Sequence, residues 1–170
     1  MLDIKIATIT DASTISAISK QTFYEAFNAQ NTKSDMDLFL ANNFNKKETE
    51  QEIANTANTF YLVYTNNELC AYAKVVDLDN PTVLPNTNTL RISRIYVIDK
   101  FIGKGIGKTL MHLCIDKARV LNKSLVWLGV WERNIAAINF YKSFGFTQFG
   151  TEIFVLGTDS QTDWLMQKSL

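Results

Sequence analysis

Hydrophobic and polar residues follow two different periods along this chain, and the two periods predict strands and helices in a mixed order. Strands are predicted where apolar residues alternate with polar ones or form short continuous runs. Asn66-Asn67 separates two such runs and is typical of a hairpin turn. The predicted strands cover approximately residues 3–9, 60–65, 69–76, 90–98, 125–131, 146–156 and 163–170.

Apolar residues spaced three and four positions apart predict five helices. Thr10 or Asp11 is expected to cap the first helix, and Ser34 and Asn45 are expected to cap the next two. Gly145 is a typical end signal for the last one. The first helix is expected to run to about residue 28, and the others cover about 34–42, 46–57, 105–122 and 134–144.

The resulting order, β-α-α-α-β-β-β-α-β-α-β-β, predicts an α/β or α+β fold with a mixed sheet. The helix between strands 90–98 and 125–131 forms a crossover, so these two strands are expected to be parallel neighbours. Segment 79–88 is polar and contains both prolines, Pro81 and Pro85, which predicts a loop. A length of 170 residues is typical of one domain, so we expect a single domain over residues 1–170.

Composition and charge exclude several classes of protein. Seventeen basic residues balance 17 acidic ones, which argues against nonspecific binding to nucleic acid. The longest apolar runs, such as 60–64, are too short to cross a bilayer, and the N-terminus lacks a signal-peptide core. Cys70 and Cys114 are predicted to be reduced core thiols, and the single histidine, His112, makes a metal site improbable. We therefore expect a cytoplasmic protein with no membrane contact and no metal.

The zero net charge is the sum of two unlike halves. Residues 1–91 hold 7 basic and 11 acidic residues, a net charge of −4. Residues 92–170 hold 10 basic and 6 acidic residues, a net charge of +4. This asymmetry predicts that the second half binds anions and that the first half favours a cationic partner.

Three of the seven glycines, Gly103, Gly105 and Gly107, join a predicted strand to a predicted helix. A helix N-terminus presents N–H groups without intrahelical partners and about half a positive charge. Glycine lets an anion approach that backbone, and Lys104 and Lys108 add positive charge. The segment therefore predicts a phosphate-binding loop.

The stretch IGKGIGKT (102–109) nearly matches the loop of nucleoside triphosphatases, G-x-x-x-x-G-K-[ST]. Ile102, however, occupies the first glycine position. The nearest substitute for a magnesium-binding aspartate is Glu132. Both departures disfavour a triphosphatase.

Four stretches together resemble the GNAT superfamily of N-acetyltransferases: RIYV (94–97), FIGKGIGKTL (101–110), WLGVWERN (127–134) and NIAAINFYKSFGF (134–146). The family's pyrophosphate loop is written Q/R-x-x-G-x-G/A, and Ile102 departs from its first position. The second signature, N-x-x-A-x-x-F-Y followed by G-F, is complete here. The resemblance implies a seven-stranded, largely antiparallel sheet flanked by helices, with one parallel strand–helix–strand unit.

The chain is also similar to PaiA-type spermidine/spermine acetyltransferases, in QTFYEAFNAQN (21–31), WLGVWERN (127–134) and QTDWLMQKSL (161–170). This similarity implies acetyl-CoA as cosubstrate and a small amine, such as a polyamine, as acceptor. A homodimer is an expectation by analogy with many relatives.

The family resemblance assigns roles to particular residues. Tyr141 would protonate the leaving thiolate, since a phenol of pKa near ~10 can donate to a thiolate of pKa near ~8.5. The N–H of Val97 would face the thioester carbonyl, and Asn134 would bond the pantetheine while also capping a helix. The full cosubstrate set is Ile95, Tyr96, Val97, Ile102, Gly103, Lys104, Gly105, Ile106, Gly107, Lys108, Asn134 and Tyr141.

The general base stays open at this point. Many relatives use a carboxylate on the strand that holds RIYV, but the corresponding inward position here is Ser93, so a water relay is one option. Glu25 and Glu132 are the other candidates. Tyr24, with the neighbouring rings Phe23 and Phe27, could line an amine site or simply pack in the core.

Two other functions compete with polyamine acetylation. One is acetylation of a protein N-terminus or a lysine by the same chemistry. The other is a noncatalytic acyl-CoA-binding module with a regulatory role.

Overall fold

A computed structural model describes residues 1–77, 79–84 and 87–170 of the chain. Its centre is one seven-stranded sheet with the strand order β1-β2-β3-β4-β5-β7-β6. The strands are β1 (Leu2–Ile6), β2 (Asn58–Thr65), β3 (Glu68–Asp77), β4 (Thr89–Val97), β5 (Leu125–Trp131), β6 (Thr147–Leu156) and β7 (Asp159–Ser169).

All neighbouring strands pair antiparallel except β4 and β5, which are parallel and joined by a helix. The predicted mixed, largely antiparallel sheet with one parallel crossover is therefore confirmed. The β2–β3 turn is Asn66-Asn67, as predicted, and both residues have positive φ, 49° and 62°. Asparagine tolerates this left-handed conformation better than most residues.

In the described part of the chain five α-helices accompany the sheet: α1 (Ala12–Phe27), α2 (Lys33–Asn43), α3 (Lys46–Ala54), α4 (Ile106–Val120) and α5 (Ile135–Ser143). Among the described residues, no helix is long and apolar enough to cross a membrane. The cap predicted at Asn45 is confirmed, since its side chain accepts from the Glu48 N–H. The cap predicted at Ser34 is wrong, because Thr32 accepts from the Asp35 N–H and α2 begins one residue earlier.

The predicted strand at 3–9 is too long by three residues. Strand β1 ends at Ile6, and a single 3-10 turn follows over Ile9–Asp11. There the Thr8 N–H donates to the Asp11 carboxylate at 2.9 Å, a capping interaction that turns the chain into α1. Of the predicted loop at 79–88, residues 85 and 86 lie outside the described residues.

The core lies on the middle of the sheet. Four consecutive residues of β2 (60–63) and six of β3 (70–75) are buried. Because successive strand residues point to opposite faces, β3 must be covered on both faces, and α1 and α4 both contact it. The buried side of α4, which includes Leu110 and Cys114, packs into this core.

The pairing between β4 and β5 is much shorter than the strands themselves. Only Thr89, Leu90 and Arg91 pair with β5, although β4 continues to Val97. On the other side of β4 the register to β3 shifts between Arg94 and Ile92, so Ser93 is an extra residue in a β-bulge. The two parallel strands thus separate after Arg91 and leave a gap within the sheet.

An ion network holds the bulged part of β4 against α3. Glu52 accepts two hydrogen bonds from the Arg94 guanidinium, both 2.8 Å, and one from the Lys74 ammonium at 2.7 Å. Burial favours the neutral form of Glu52, but the charge of Arg94 and these bonds outweigh it and hold the pKa of the carboxyl below its usual value. The network fixes Arg94 beside the gap.

We expect Glu52→Gln to destabilise the fold by about 3 kcal/mol, because it leaves the buried Lys74 and the half-buried Arg94 without their anion. The matched control is Glu50→Gln on the same helix, whose surface pair with Lys46 should change stability by less than about 0.5 kcal/mol. Equilibrium unfolding in urea measures both. Equal stabilities of the two variants would contradict the structural role of the network.

Candidate active site

A cleft of about 780 Å³ opens where β4 and β5 separate. Its walls come from β4, β5, the glycine loop and α5, and also from α1, α2, β6 and β7. The volume is that of a site for a small molecule or cofactor. Residues far apart in the chain therefore meet around one cavity.

One wall of the cleft is a strand edge with free backbone groups. The Ile98 N–H donates to the Cys70 carbonyl on β3 at 2.9 Å. Because backbone groups alternate between the two edges of a strand, Val97 and Ile95 point theirs away from β3, toward the gap. Both residues line the cleft, so an extended ligand can pair with this edge as a strand would.

The glycine loop forms the next part of the wall. Gly103 and Gly105 have φ of 82° and 81°, a conformation that side chains with a Cβ rarely adopt. Gly105 is the N-cap of the 15-residue helix α4, so the first amides of α4 lack intrahelical partners. A Cβ on Gly107 would lie 3.7 Å from Phe140 and 3.8 Å from Val97, which joins the start of α4 closely to α5 and β4.

Asn134 and Tyr141 bring α5 to the cleft. The Asn134 side chain accepts from the Ala137 N–H at 3.2 Å and caps α5, while the residue also lines the cleft. Tyr141 is 9% exposed and lines the same cleft, between the rings of Phe140 and Phe146. Burial raises the pKa of its phenol, so the hydroxyl stays protonated through the neutral pH range.

A second cavity lies beside the glycine loop. Four basic side chains border it, namely Lys108, His112, Arg119 and Lys168. The other residues of its border are Ile115, Ser143 and Phe144. Lys108 borders both cavities. Lys108, His112 and Arg119 follow helical spacing from the first turn of α4 to its last turn, so this cavity extends along the helix.

Aromatic rings line the part of the cleft formed by α1, α2, β5 and β6. We call them the aromatic wall: Phe23, Phe27, Phe39, Phe44, Trp131 and Phe154. Neighbouring ring centroids are 4.5–6.2 Å apart, and Phe27 contacts Trp131 edge-on. Such rings offer apolar contact and attract cations.

Two carboxylates, Glu152 and Asp163, adjoin the aromatic wall. They are cross-strand partners on β6 and β7, and Asp163 also pairs with Trp131 on β5. Burial and the charge of Glu152 raise the pKa of Asp163 to about 6. Among the described residues neither carboxylate forms a salt bridge.

The cleft arginines, by contrast, are already paired. Arg91 binds the Asp79 carboxylate at 3.0 Å and stacks on Trp127, and Arg94 belongs to the Glu52 network. The charged side chains of the cleft that lie beside the aromatic wall and have no salt bridge among the described residues are therefore negative.

Comparison with known proteins agrees with this geometry. The family model described as "Acetyltransferase (GNAT) family" matches residues 20–146. An uncharacterized N-acetyltransferase of Lactobacillus delbrueckii subsp. lactis is 40% identical over 100% of this chain and 99% of its own. The chain belongs to the GNAT family of acetyltransferases. It is an N-acetyltransferase, and its cosubstrate is acetyl-CoA.

Solved structures show the same GNAT fold. A PaiA N-acetyltransferase from Thermoplasma acidophilum, in complex with coenzyme A, matches with a TM-score of 0.83 over 100% of this chain and 99% of that one, at 18% identity. A spermine/spermidine N(1)-acetyltransferase of Bacillus subtilis is 35% identical over 63 residues, which is 36% of this chain and 41% of that one. The similarity to the Bacillus subtilis protein therefore covers only part of each chain.

The structure brings most of the residues predicted from the GNAT motifs to one cleft. Those that line it are Ser93, Ile95, Tyr96, Val97, Ile102, Gly103, Gly105, Gly107, Lys108, Asn134 and Tyr141. Ile106 and Lys104 do not line the cleft. Ile106 is buried in the core, and the Lys104 ammonium lies over the Phe101 ring. Ile102, at the departing position of the GNAT motif, is 63% exposed.

Three of the predicted acceptor-site residues do not line the cleft of this GNAT protein. Tyr24 is 48% exposed on the outer side of α1. Glu25 accepts from the Asp99 N–H at 3.1 Å and from the Gln21 amide at 2.9 Å. Glu132 is exposed just after β5. None of the three is brought to Tyr141.

Sequence reasoning missed Glu152 and Asp163. The available signal was Gly157-Thr158, a two-residue turn between β6 and β7. Counting outward from this turn places Glu152 opposite Asp163. Because the last strand was predicted to begin only at residue 163, the turn and its register were not recognised.

We expect Asp163→Asn to stabilise the protein at pH 8 but not at pH 4. The raised pKa means that the folded state favours the protonated carboxyl, so its contribution to stability is complete below pH 4 and is lost as pH rises through about 6. Removing the charge should raise Tm at pH 8 by about 2–4 °C, the effect of roughly 1 kcal/mol in a domain of this size. Thermal unfolding at both pH values measures this, and an unchanged Tm at pH 8 would contradict the burial of the charge.

Proposed function

We propose that this protein transfers the acetyl group of acetyl-CoA to a primary amine of a small polyamine, such as spermidine or spermine. The observation that carries the proposal is that two carboxylates, Glu152 and Asp163, lie beside the aromatic wall with no salt bridge to any described residue. An acceptor that suits these groups is a cation with an apolar chain. The names of the PaiA structure and of the partial Bacillus subtilis relative support the same class of acceptor.

The residues of the cleft fit the parts of acetyl-CoA. The free N–H groups of Ile95 and Val97 suit the amide-containing pantetheine arm, and the amides at the start of α4 suit a pyrophosphate. Lys108 extends positive charge from this loop to the basic second cavity, which suits the remaining phosphate of the cosubstrate. The N–H of Val97 is then the group that stabilises the oxyanion.

Tyr141 is the proposed general acid. Its hydroxyl donates a proton to the sulfur as the C–S bond breaks. Because burial makes a lasting phenolate costly, Tyr141 must regain a proton in the same step. The newly acylated nitrogen has a proton to lose and is the source, directly or through water.

The acceptor is tested by measuring release of the CoA thiol with spermidine, spermine, amino acids, aminoglycosides and peptides. We expect the polyamines to have the highest kcat/KM. A primary alkylamine of the same chain length as spermidine is the matched control, since it lacks the additional ammonium groups. Its KM should be at least about tenfold higher, and the KM for spermidine should rise with salt.

Other outcomes of this screen would contradict the proposal in different ways. Acetylation of peptides without acetylation of polyamines would indicate a protein N-terminal or lysine acetyltransferase. Binding of acetyl-CoA without turnover of any amine would indicate a noncatalytic module. Equal kcat/KM for spermidine and the alkylamine would remove the role of the two carboxylates in selecting the acceptor.

We expect Tyr141→Phe to lower kcat by about 10²–10⁴-fold, the usual contribution of a positioned acid. The Kd for acetyl-CoA should change by less than about threefold, because the ring remains in place. Tyr64→Phe, on β2 and outside the cleft, is the control and should retain full turnover. Steady-state kinetics and calorimetric titration measure the two quantities, and unchanged turnover would remove Tyr141 as the acid.

A further inference from the structure

The family motifs do not identify the base that deprotonates the acceptor amine. Many relatives have a carboxylate on the strand that holds RIYV, but the corresponding position here is Ser93. The two carboxylates of the cleft offer an alternative on the opposite side of the gap. Glu152 and Asp163 lie on β6 and β7, whereas Ser93 lies on β4. The cleft brings all three elements together.

Gly129 makes room for this pair of carboxylates. A Cβ at Gly129 would lie 3.2 Å from the Glu152 Oε1 and 3.6 Å from the Asp163 Oδ2. Both side chains therefore converge on the space that a side chain at position 129 would fill. The Asp163 Oδ1 is buried and has no hydrogen-bond partner among the described residues. A buried acceptor atom without a donor is uncommon in folded proteins, and at Asp163 this atom belongs to a side chain that lines the cleft.

Asp163 and Tyr141 are both near the same third residue. Tyr96 lines the cleft together with Tyr141 and Asp163, and burial is the first cause that raises the pKa of its phenol. The proposed acid and the carboxylate thus belong to one cavity, in which Tyr96 is their common neighbour.

We propose that Asp163 is the general base of this enzyme and that Glu152, its cross-strand partner, is a positioning residue. The proposal rests on the proposed acetyl transfer to a cationic amine. Asp163 accepts one proton from the ammonium group and later releases it to solvent. Glu152 acts only through its charge on Asp163.

The protons and bonds of the step balance. Asp163 takes the first proton, and the neutral amine attacks the thioester carbonyl to form a C–N bond. The C–S bond then breaks, and the sulfur receives the proton of Tyr141. The nitrogen loses its second proton to Tyr141, which leaves one N–H in the amide, and the net release is one proton from Asp163.

Several charged groups face Asp163 and set the pH at which it works. Burial and the charge of Glu152 on β6 raise its pKa, Arg91 on β4 lowers it, and Glu132 after β5 raises it slightly. The resulting value of about 6 leaves the carboxylate mostly ionised at neutral pH, yet basic enough to take a proton. The pH profile of kcat/KM should therefore have an acidic limb near pH 6.

The experiment compares Asp163→Asn, Glu152→Gln and Asp116→Asn across pH 5–9, with the amine that wild type acetylates fastest. Asp163→Asn should lower kcat/KM at pH 7.5 by about 10²-fold or more and abolish the limb near pH 6. Glu152→Gln should move that limb to lower pH, because a neighbouring negative charge is gone. Asp116→Asn, on the surface of α4, should match wild type.

A direct titration of acetyl-CoA into each variant separates loss of the base from loss of the site. We expect Asp163→Asn to bind acetyl-CoA as wild type does. Suppose that wild type acetylates an amine and that Asp163→Asn has the same kcat/KM and the same acidic limb near pH 6. The assignment of Asp163 as the base is then wrong, while the proposed function stands. An unmoved limb in Glu152→Gln would remove the positioning role even if Asp163→Asn failed to fold. If wild type acetylates no amine at any pH, the proposed function itself is wrong.

Discussion

The active-site cleft depends on the early end of pairing between two parallel strands. β4 and β5 share hydrogen bonds only at Thr89, Leu90 and Arg91, and the bulge at Ser93 bends β4 away from β5. Unsatisfied backbone groups inside a protein are costly, so a gap in a sheet persists only where something else can bind them. In the proposed function, the cosubstrate is that partner.

The elements around the gap supply what the open strands lack. Helix α4 begins directly after its N-cap Gly105, at the cleft, and α5 contributes Tyr141 and its own N-cap, Asn134. On the far side, the β6–β7 hairpin brings in the two carboxylates. The Glu52 network holds the bulged strand in place from outside the cleft. The site is thus built on a sheet and on helix ends, which vary less in position than long loops.

Local signals made the side of the cleft formed by the glycine loop and α5 predictable from the sequence. The glycine loop, the following helix and the Asn134-to-Tyr141 signature each lie within about a dozen residues, and strand and helix periodicity located their elements. The acceptor side required the register of a hairpin near the C-terminus. Glu152 and Asp163 are 11 positions apart, and only the turn at Gly157-Thr158 places them together.

The net charge of each half of the chain also predicted the wrong source for the acidic groups of the cleft. The first half of the chain has the acidic excess, yet both carboxylates of the cleft come from the second half, and Arg91 comes from the first. Net charge over a sequence segment ignores which side chains are already paired. Asp79 and Glu52 neutralise the two arginines, and this pairing is visible only in three dimensions.

The gap between β4 and β5 also has a consequence for solubility. A free strand edge normally invites pairing with other chains, and proteins guard such edges to avoid aggregation. This edge lies inside the sheet, with β5 on its far side and the starts of α4 and α5 beside it. The cavity beside it, about 780 Å³, has the size for one small ligand. This free edge is therefore open to a ligand of the cleft, but it is not presented to solvent as the outermost strand of a sheet is.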